Sequence, residues 1–203
     1  MKSPSDDKVE NDAGESGGGV NSDREKFDIS EETLLQTRLF RVNRVRQQFE
    51  DGRTFEREII RHPGAVVVLP ILADGRVCLI RNFRIAVGQW LLELPAGTLE
   101  PNEPPLQTAE RELIEETGYR AGSIQPLCEF FMSPGILHER MHAFVATDLS
   151  PGEAAREAGE LIVNILMTPA EIDEQLRTHK IQDAKTIATL LYYLRFGIAA
   201  ANV

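Results

Sequence analysis

The sequence predicts a sheet-and-helix sandwich of the α/β (α+β) class. Three observations predict it. The short apolar runs Ala65-Val66-Val67-Val68-Leu69-Pro70 and Val77-Cys78-Leu79-Ile80, parted by the turn signal Asp74-Gly75, read as core strands. The run Trp90-Leu91-Leu92-Glu93-Leu94-Pro95-Ala96 leads straight into a carboxylate-rich helical pattern. Two further helices are signalled near the C-terminus, by Thr168-Pro169 and by Asp183. With 203 residues, 42% of them hydrophobic, the chain can bury one good core, as one main domain with a smaller appendage.

Residues 1–25 contain Ser3-Pro4-Ser5-Asp6-Asp7 and Gly17-Gly18-Gly19 and lack apolar periodicity. They cannot offset the entropy of ordering, and they read as a disordered acidic tail. Residues 26–61 form an N-terminal β region. Within it Leu39-Phe40-Arg41-Val42-Asn43-Arg44-Val45 and Phe55-Glu56-Arg57-Glu58-Ile59-Ile60 flank the turn signal Glu50-Asp51-Gly52-Arg53, as in an antiparallel hairpin or small sheet. Residues 62–203 make the main domain. After its two core strands, Arg81-Asn82-Phe83-Arg84-Ile85 prolongs the second with cations on alternate sides. Beyond the helix, Leu127-Cys128-Glu129-Phe130-Phe131-Met132 and Met141-His142-Ala143-Phe144-Val145-Ala146 read as strands around the turn Ser133-Pro134-Gly135. Residues 150–160 are a loop or short helix, 161–167 a strand, and the last amphipathic helix carries Ile187, Leu190, Leu191 and Leu194.

The helix that the chain is organised around spans roughly 104–116. Pro104 and Pro105 suit its first turn, Gly118 suits a stop just past its end, and Leu106, Ala109 and Leu113 recur as a buried stripe. Glu112, Glu115 and Glu116 stand at i, i+3 and i+4, at the end where the helix dipole disfavours negative charge. Something positive has to sit there. An oxygen-only donor set without Cys or His favours a hard divalent cation, Mg2+ or Mn2+, over zinc. A solvated acidic face is the plainer alternative, and Arg111 among the acids, Gly97 ahead of the helix and Glu103 near its start weigh against it.

The spacing Gly97, five residues, Glu103, seven residues, Arg111-Glu112-Leu113-x-Glu115-Glu116-x-Gly118 resembles the Nudix box at every charged and glycine position. Tyr119 departs from it, where an aliphatic residue is usual. The resemblance extends over nearly the whole chain after residue 30. Leu92-Glu93-Leu94-Pro95-Ala96-Gly97, Ser133-Pro134-Gly135 and Asp183-Ala184-Lys185-Thr186 look like the ADP-ribose pyrophosphatase branch, although GDP-sugar pyrophosphatases share much of this pattern.

That resemblance implies an α/β/α sandwich with a mixed sheet, and Mg-dependent hydrolysis of ADP-ribose to AMP and ribose 5-phosphate. The alternative is a GDP-mannose or other nucleotide-sugar pyrophosphatase, and a catalytically inactive nucleotide sensor ranks lower because all the box acids are present. It implies Glu112, Glu115, Glu116 and the Ala96 carbonyl as metal ligands, with Arg111 in support and Glu103 serving helix-start electrostatics or the metal. A loop Glu would activate the water; alignment favours Glu157, with Glu153 and Glu160 as rivals. Arg57 and Arg84 fall near the diphosphate or sugar, and Glu139 and Pro134 fall where the substrate is contacted. Phe27 or Phe40 could stack on a base, Phe40 otherwise belonging to the core. The N-terminal segment commonly crosses to a partner subunit in this branch, which implies a homodimer.

The charge of −10 opposes a nucleic-acid backbone or an anionic membrane as partner, and messenger-RNA decapping is disfavoured for want of a basic accessory patch. A polyanionic nucleotide sugar can still bind if metal ions mediate. Cys78 and Cys128 lie far apart in apolar runs, as buried free thiols do in a reducing compartment. No apolar stretch of about 18 residues and no charged-then-apolar leader is present, so a cytoplasmic protein is expected. His62, His138, His142 and His179 show no zinc spacing.

Overall fold

The computed structural model describes residues 26–155 and 161–197. The expected N-terminal tail lies outside them, as do Glu157 and Glu160. The elements in chain order are β1 (Phe27–Gln36), β2 (Arg41–Phe49), β3 (Thr54–Arg61), β4 (Ala65–Pro70), β5 (Val77–Arg84), β6 (Gln89–Glu93) and β7 (Ala96–Thr98). There follow α1 (Pro105–Glu112), β8 (Arg120–Ser133), β9 (Leu137–Ser150), β10 (Ile162–Met167), α2 (Pro169–Arg177) and α3 (Ala184–Phe196).

Strand β4 sets the layers. All six of its residues are buried, because the sheet is covered on both faces, and this is why it reads as an unbroken apolar run rather than an alternating one. Val67 and Leu69 pack on one side with Met141, Ala143, Val145, Leu127 and α3 Leu190. On the other side Val66 and Val68 pack with Phe144, Ala146 and the helix residues Ala109 and Leu113. Each of the buried Val, Leu, Met and Phe side chains among them contributes about 1.5–3 kcal/mol.

Among the described residues a seven-stranded sheet runs β1-β2-β3-β9-β4-β7, with β8 on the other edge of β9. It is mixed: β4 is parallel to β9, from Ala65 opposite Met141 to Pro70 opposite Ala146, while β8 is antiparallel to β9. The N-terminal strands β1 to β3 join this sheet through a short parallel pairing of Ile60 and Arg61 with Leu137 and His138. A second, three-stranded antiparallel sheet, β10-β5-β6, adds Val77 and Leu79 to the core beside α2 Ile172.

The helix expected over 104–116 has two parts. Pro104 is extended and Pro105 opens α1, which needs no N–H there. After Glu112 the coil widens into a π-helical turn, Leu113–Thr117, that ends at Gly118 with φ +80°. That left-handed residue also lies under the loop after β9: an added Cβ would come 2.7 Å from the Gly152 carbonyl oxygen. The expected buried stripe needs one correction. Leu106 is exposed, and Thr108 takes the inward place beside Ala109 and Leu113, because Thr108 Oγ donates to Glu103 rather than to water. On α3 Leu190 is buried as expected, whereas Leu191 and Leu194 are about half exposed.

At the C-terminal side Thr168 and Glu171 form a reciprocal capping box at the start of α2. Asp183 caps α3 by accepting from the Thr186 N–H.

Candidate active site

The π-helical turn and β7 are brought together by a missing side chain. A Cβ on Gly97 would lie 1.9 Å from the Glu112 carboxylate, so only glycine lets the acid sit against the strand. Glu116, almost wholly buried, accepts a 2.8 Å hydrogen bond from the Ala96 N–H and ties the turn to the same strand. Widening the helix at a functional turn is a recurrent use of π geometry.

Arg111 holds the acids. Its Nε and Nη2 donate to both oxygens of Glu103 (3.1 and 3.0 Å), and its Nη1 donates to Glu112 (2.7 Å) and Glu115 (3.0 Å). The Arg111 bonds, with Thr108 adding a donor, hold the Glu103 carboxyl at about 2, well below the usual carboxylate range. The same bond to Glu103 raises Arg111 further above its ordinary value. With Arg111 between them, the acids do not yet converge: among the described residues no three Asp, Glu, His or Cys side chains meet around one point. The residues still suit a hard cation by chemistry. The donors are all oxygen, three carboxylates share one guanidinium, and the Gly97 cradle admits Glu112 to the Ala96 strand.

Glu112, Glu115 and Glu116 line a cavity of about 960 Å3. Its other residues include Arg38 and Phe40 from the β1–β2 connection, Arg41 at the start of β2, Arg61 and His62 at the end of β3, and Arg84 from β5. Phe40 is therefore a cleft residue and not core, whereas Phe27 is exposed and packs on Phe49 at 5.5 Å. A smaller cavity of about 260 Å3 adjoins it through Arg84, Ala96, Gly97 and Thr98, and takes Glu139, Asp183 and Lys185 into its wall. His62 Nδ1 accepts from the Gly64 N–H at 3.2 Å and lies 3.8 Å from Glu139; burial lowers its pKa against the pull of that carboxylate.

The expected site residues are only partly gathered. Ala96, Arg111, Glu112, Glu115, Glu116 and Arg84 line the larger cavity, and Glu139 the smaller one. Arg57 is exposed on β3, opposite Val45, and lines neither. Pro134 is exposed at the tip of the β8–β9 hairpin and also lies outside both. Glu153 is exposed in the loop after β9, and that loop is pinned to the helix end by the Ala155 N–H donating to the Glu115 carbonyl (3.1 Å).

Glu93, Asp183 and Lys185, to which the sequence assigns no individual role in the site, form a second ionic group beside these cavities. Glu93 is fully buried and accepts from Arg84 Nε (2.8 Å), Arg84 Nη2 (2.7 Å) and Lys185 Nζ (2.5 Å). Burial pushes its carboxyl up, but the Arg84 bonds and the Lys185 charge bring it below its ordinary value. A signal was available: a lone acid between Leu92 and Leu94 in an apolar run requires a buried cation.

A cleft that gathers the carboxylates Glu112, Glu115 and Glu116 with several guanidinium groups suits a charged ligand. The chain belongs to the Nudix family: the NUDIX domain family model matches residues 60–190. Among its relatives, the ADP-ribose pyrophosphatase of Bacillus subtilis (strain 168) is 34% identical over 171 residues, covering 81% of this chain and 92% of that protein. The methanol dehydrogenase activator of Bacillus methanolicus is 36% identical over 171 residues, again covering 81% and 92%. A crystal structure of an ADP compounds hydrolase superposes with a TM-score of 0.76 at 25% identity, over 90% of this chain and all of the other.

Proposed function

We propose that this Nudix hydrolase cleaves the diphosphate bond of ADP-ribose, or of a related ADP-sugar, to AMP and ribose 5-phosphate. The observation that carries the reading is the shared cavity of Glu112, Glu115 and Glu116 with Arg38, Arg41, Arg61 and Arg84. A diphosphate needs cations on its oxygens, and guanidinium groups supply them in a geometry matched to phosphate.

The ligand set for Mg2+, with Mn2+ able to replace it, is Glu112, Glu115, Glu116 and the Ala96 carbonyl. When bound, such a cation neutralises charge on the diphosphate oxygens and acidifies water for attack on phosphorus. Arg111 keeps Glu112 and Glu115 in place, and Arg84 with Arg38 and Arg41 receives the substrate anion. Glu139, on the wall of the smaller cavity, accepts from sugar hydroxyls, next to the hairpin that carries Pro134. Glu157 takes the proton of the attacking water, with Glu153 and Glu160 as the other candidates. What supports a base on this loop is the anchoring of Ala155 on the Glu115 carbonyl, two residues before Glu157.

In this reading residues 62–203 form the hydrolase domain of a cytoplasmic enzyme and residues 26–61 its dimerisation element. The outer edge strand β1, with Phe27, Ile29 and Leu35 exposed, suits burial against a second copy. Arg57, outside the cavity of its own chain, would then serve the partner's cleft. No described helix is long and apolar enough to cross a membrane.

Hydrolysis of ADP-ribose and GDP-mannose, measured side by side with Mg2+ and with products identified, tests the substrate. ADP-ribose is expected to be turned over more efficiently, giving AMP. A GDP-sugar preferred by a wide margin would replace this reading with the nucleotide-sugar alternative. Glu157→Gln should lower turnover by on the order of 10²–10⁴ with metal affinity retained; wild-type turnover in that variant removes Glu157 from the mechanism.

A further inference from the structure

Among the described residues Arg84 is the one cation that lines both cavities, and it is also bonded to a fully buried acid. Its Nε and one Nη are committed to the two oxygens of Glu93 in a parallel fork, which fixes the plane of the guanidinium. Taken alone, the pair Arg84 and Glu93 would present no net charge to the cleft. Asp183 adds a second carboxylate to this centre, and Lys185 offsets it. From the first turn of α3 its Nζ lies 2.5 Å from Glu93 and 2.9 Å from Asp183. Asp183 in turn spends its other oxygen on the Thr186 N–H (3.0 Å) and hydroxyl (2.6 Å), and the Thr186 hydroxyl accepts from the Leu94 N–H (2.8 Å). The start of α3 is thus bonded to the strand segment that runs through Leu94 into Ala96, about 90 residues away in sequence.

We infer that Lys185 is a positioning residue for the substrate anion: by bonding both Glu93 and Asp183 it keeps the centre from turning net negative and holds the Arg84 guanidinium at the junction of the two cavities. The inference rests on the proposed role of Arg84 in binding the diphosphate. Removal of the Lys185 charge leaves two carboxylates, Glu93 and Asp183, facing Arg84 alone. The guanidinium is then drawn inward and its field at the cleft is cancelled. Binding of the substrate weakens, whereas the helix turn that carries Glu112 and Glu116 is untouched.

Lys185→Met tests this in the full-length protein, with Lys185→Gln as the milder replacement if the first does not fold and Lys185→Arg as the conservative rescue. The first readout needs no activity. In a 15N–1H spectrum the Arg84 Nε–H signal, assigned by its loss in Arg84→Lys, should be sharp and slow to exchange in the wild type, shifted and broadened in Lys185→Met or Lys185→Gln, and restored in Lys185→Arg. The second is kinetic. KM for ADP-ribose should rise about tenfold with kcat within about twofold, the pattern of lost ground-state binding, and the rise should vanish when Arg84 is already replaced by Gln. An Arg84 signal that stays in place in a folded Lys185→Met or Lys185→Gln protein overturns the inference, as does an equal KM rise in the Arg84→Gln background. A wild type that hydrolyses no nucleotide sugar while the Arg84 signal still responds to Lys185 would sink the proposed activity and leave the positioning contact standing.

Discussion

Two ionic centres flank the same cleft with opposite composition. At the first, one guanidinium, Arg111, serves three carboxylates, Glu103, Glu112 and Glu115, with Glu116 close by. At the second, one carboxylate, Glu93, serves two cations, Arg84 and Lys185. The first has surplus negative charge and is partly open to solvent, which leaves capacity for metal cations. The second is centred on a group with no solvent exposure, and its two cations are matched by Glu93 and Asp183, with the Arg84 guanidinium at the wall of both cavities. A buried ion pair on its own is weak support for stability. On the proposed function, one centre with excess carboxylate and one with matched charges bordering the same cavity divide the labour between metal and substrate.

The largest expected effect is at the acid-rich centre. Glu112→Gln and Glu116→Gln keep side-chain size, and the amide oxygen that the second substitution introduces could still accept from the Ala96 N–H, so folding should be retained. Steady-state hydrolysis should nevertheless fall by on the order of 10²–10³, the scale of losing a group that stabilises transition-state charge, and the loss should be in kcat. If either variant merely raised KM, the distinction between a metal centre and an anion centre would collapse.

Next in size is Gly97→Ala. The new Cβ would meet the Glu112 carboxylate, which is the far end of a flexible side chain and can swing aside. The melting temperature should therefore move little while turnover falls about 10²-fold, as expected when a reacting group is displaced by about 1 Å. A large fall in melting temperature would show instead that the close approach is a packing requirement.

Much of this arrangement is legible in the sequence, for local reasons. Strand β4 is a pure apolar run because it is buried on both faces, and the starts of α2 and α3 are written in Thr168-Pro169 and Asp183. The box acids are legible because their spacing is short and fixed. Strand β1 was missed: all ten of its residues are exposed, so it carries no alternation of burial to read, and it is held by pairing with β2 and by bonds such as those from Asn43 and Arg61 to Glu31. The π-helical turn is a slip to wider hydrogen bonding confined to five residues, too short a stretch for a change of period to be read from sequence. Glu93 and Lys185 sit in motifs that the sequence displays openly, but their pairing joins β6 to α3, and no local pattern encodes a contact across that separation.

The smallest effect is on stability, and it separates the two centres by acid titration. The Glu103 carboxyl lies at about 2 in the folded protein against an ordinary 4.5, held down chiefly by Arg111. Between those values the unfolded chain binds more protons than the folded one, so stability rises with pH through the window. The contribution of Glu103 is fully present above about 4.5 and is lost as the pH falls toward about 2. Denaturant midpoints measured from about pH 6 down to about pH 2 should therefore drop steadily in the wild type. In Glu103→Gln the midpoint should be lower at the upper end of that range and the slope shallower, because Arg111 then has only Glu112 and Glu115 to bind. Part of the slope should survive, since the Glu93 carboxyl also lies below its ordinary value and contributes with the same sign. Adding Lys185→Gln to Glu103→Gln should remove some of that remainder, because Glu93 then loses one of its two cations. A slope unchanged in Glu103→Gln would mean that Arg111 is bound to Glu112 and Glu115 alone, and the acid-rich centre would lose the anchor that distinguishes it from a loose pair of surface acids.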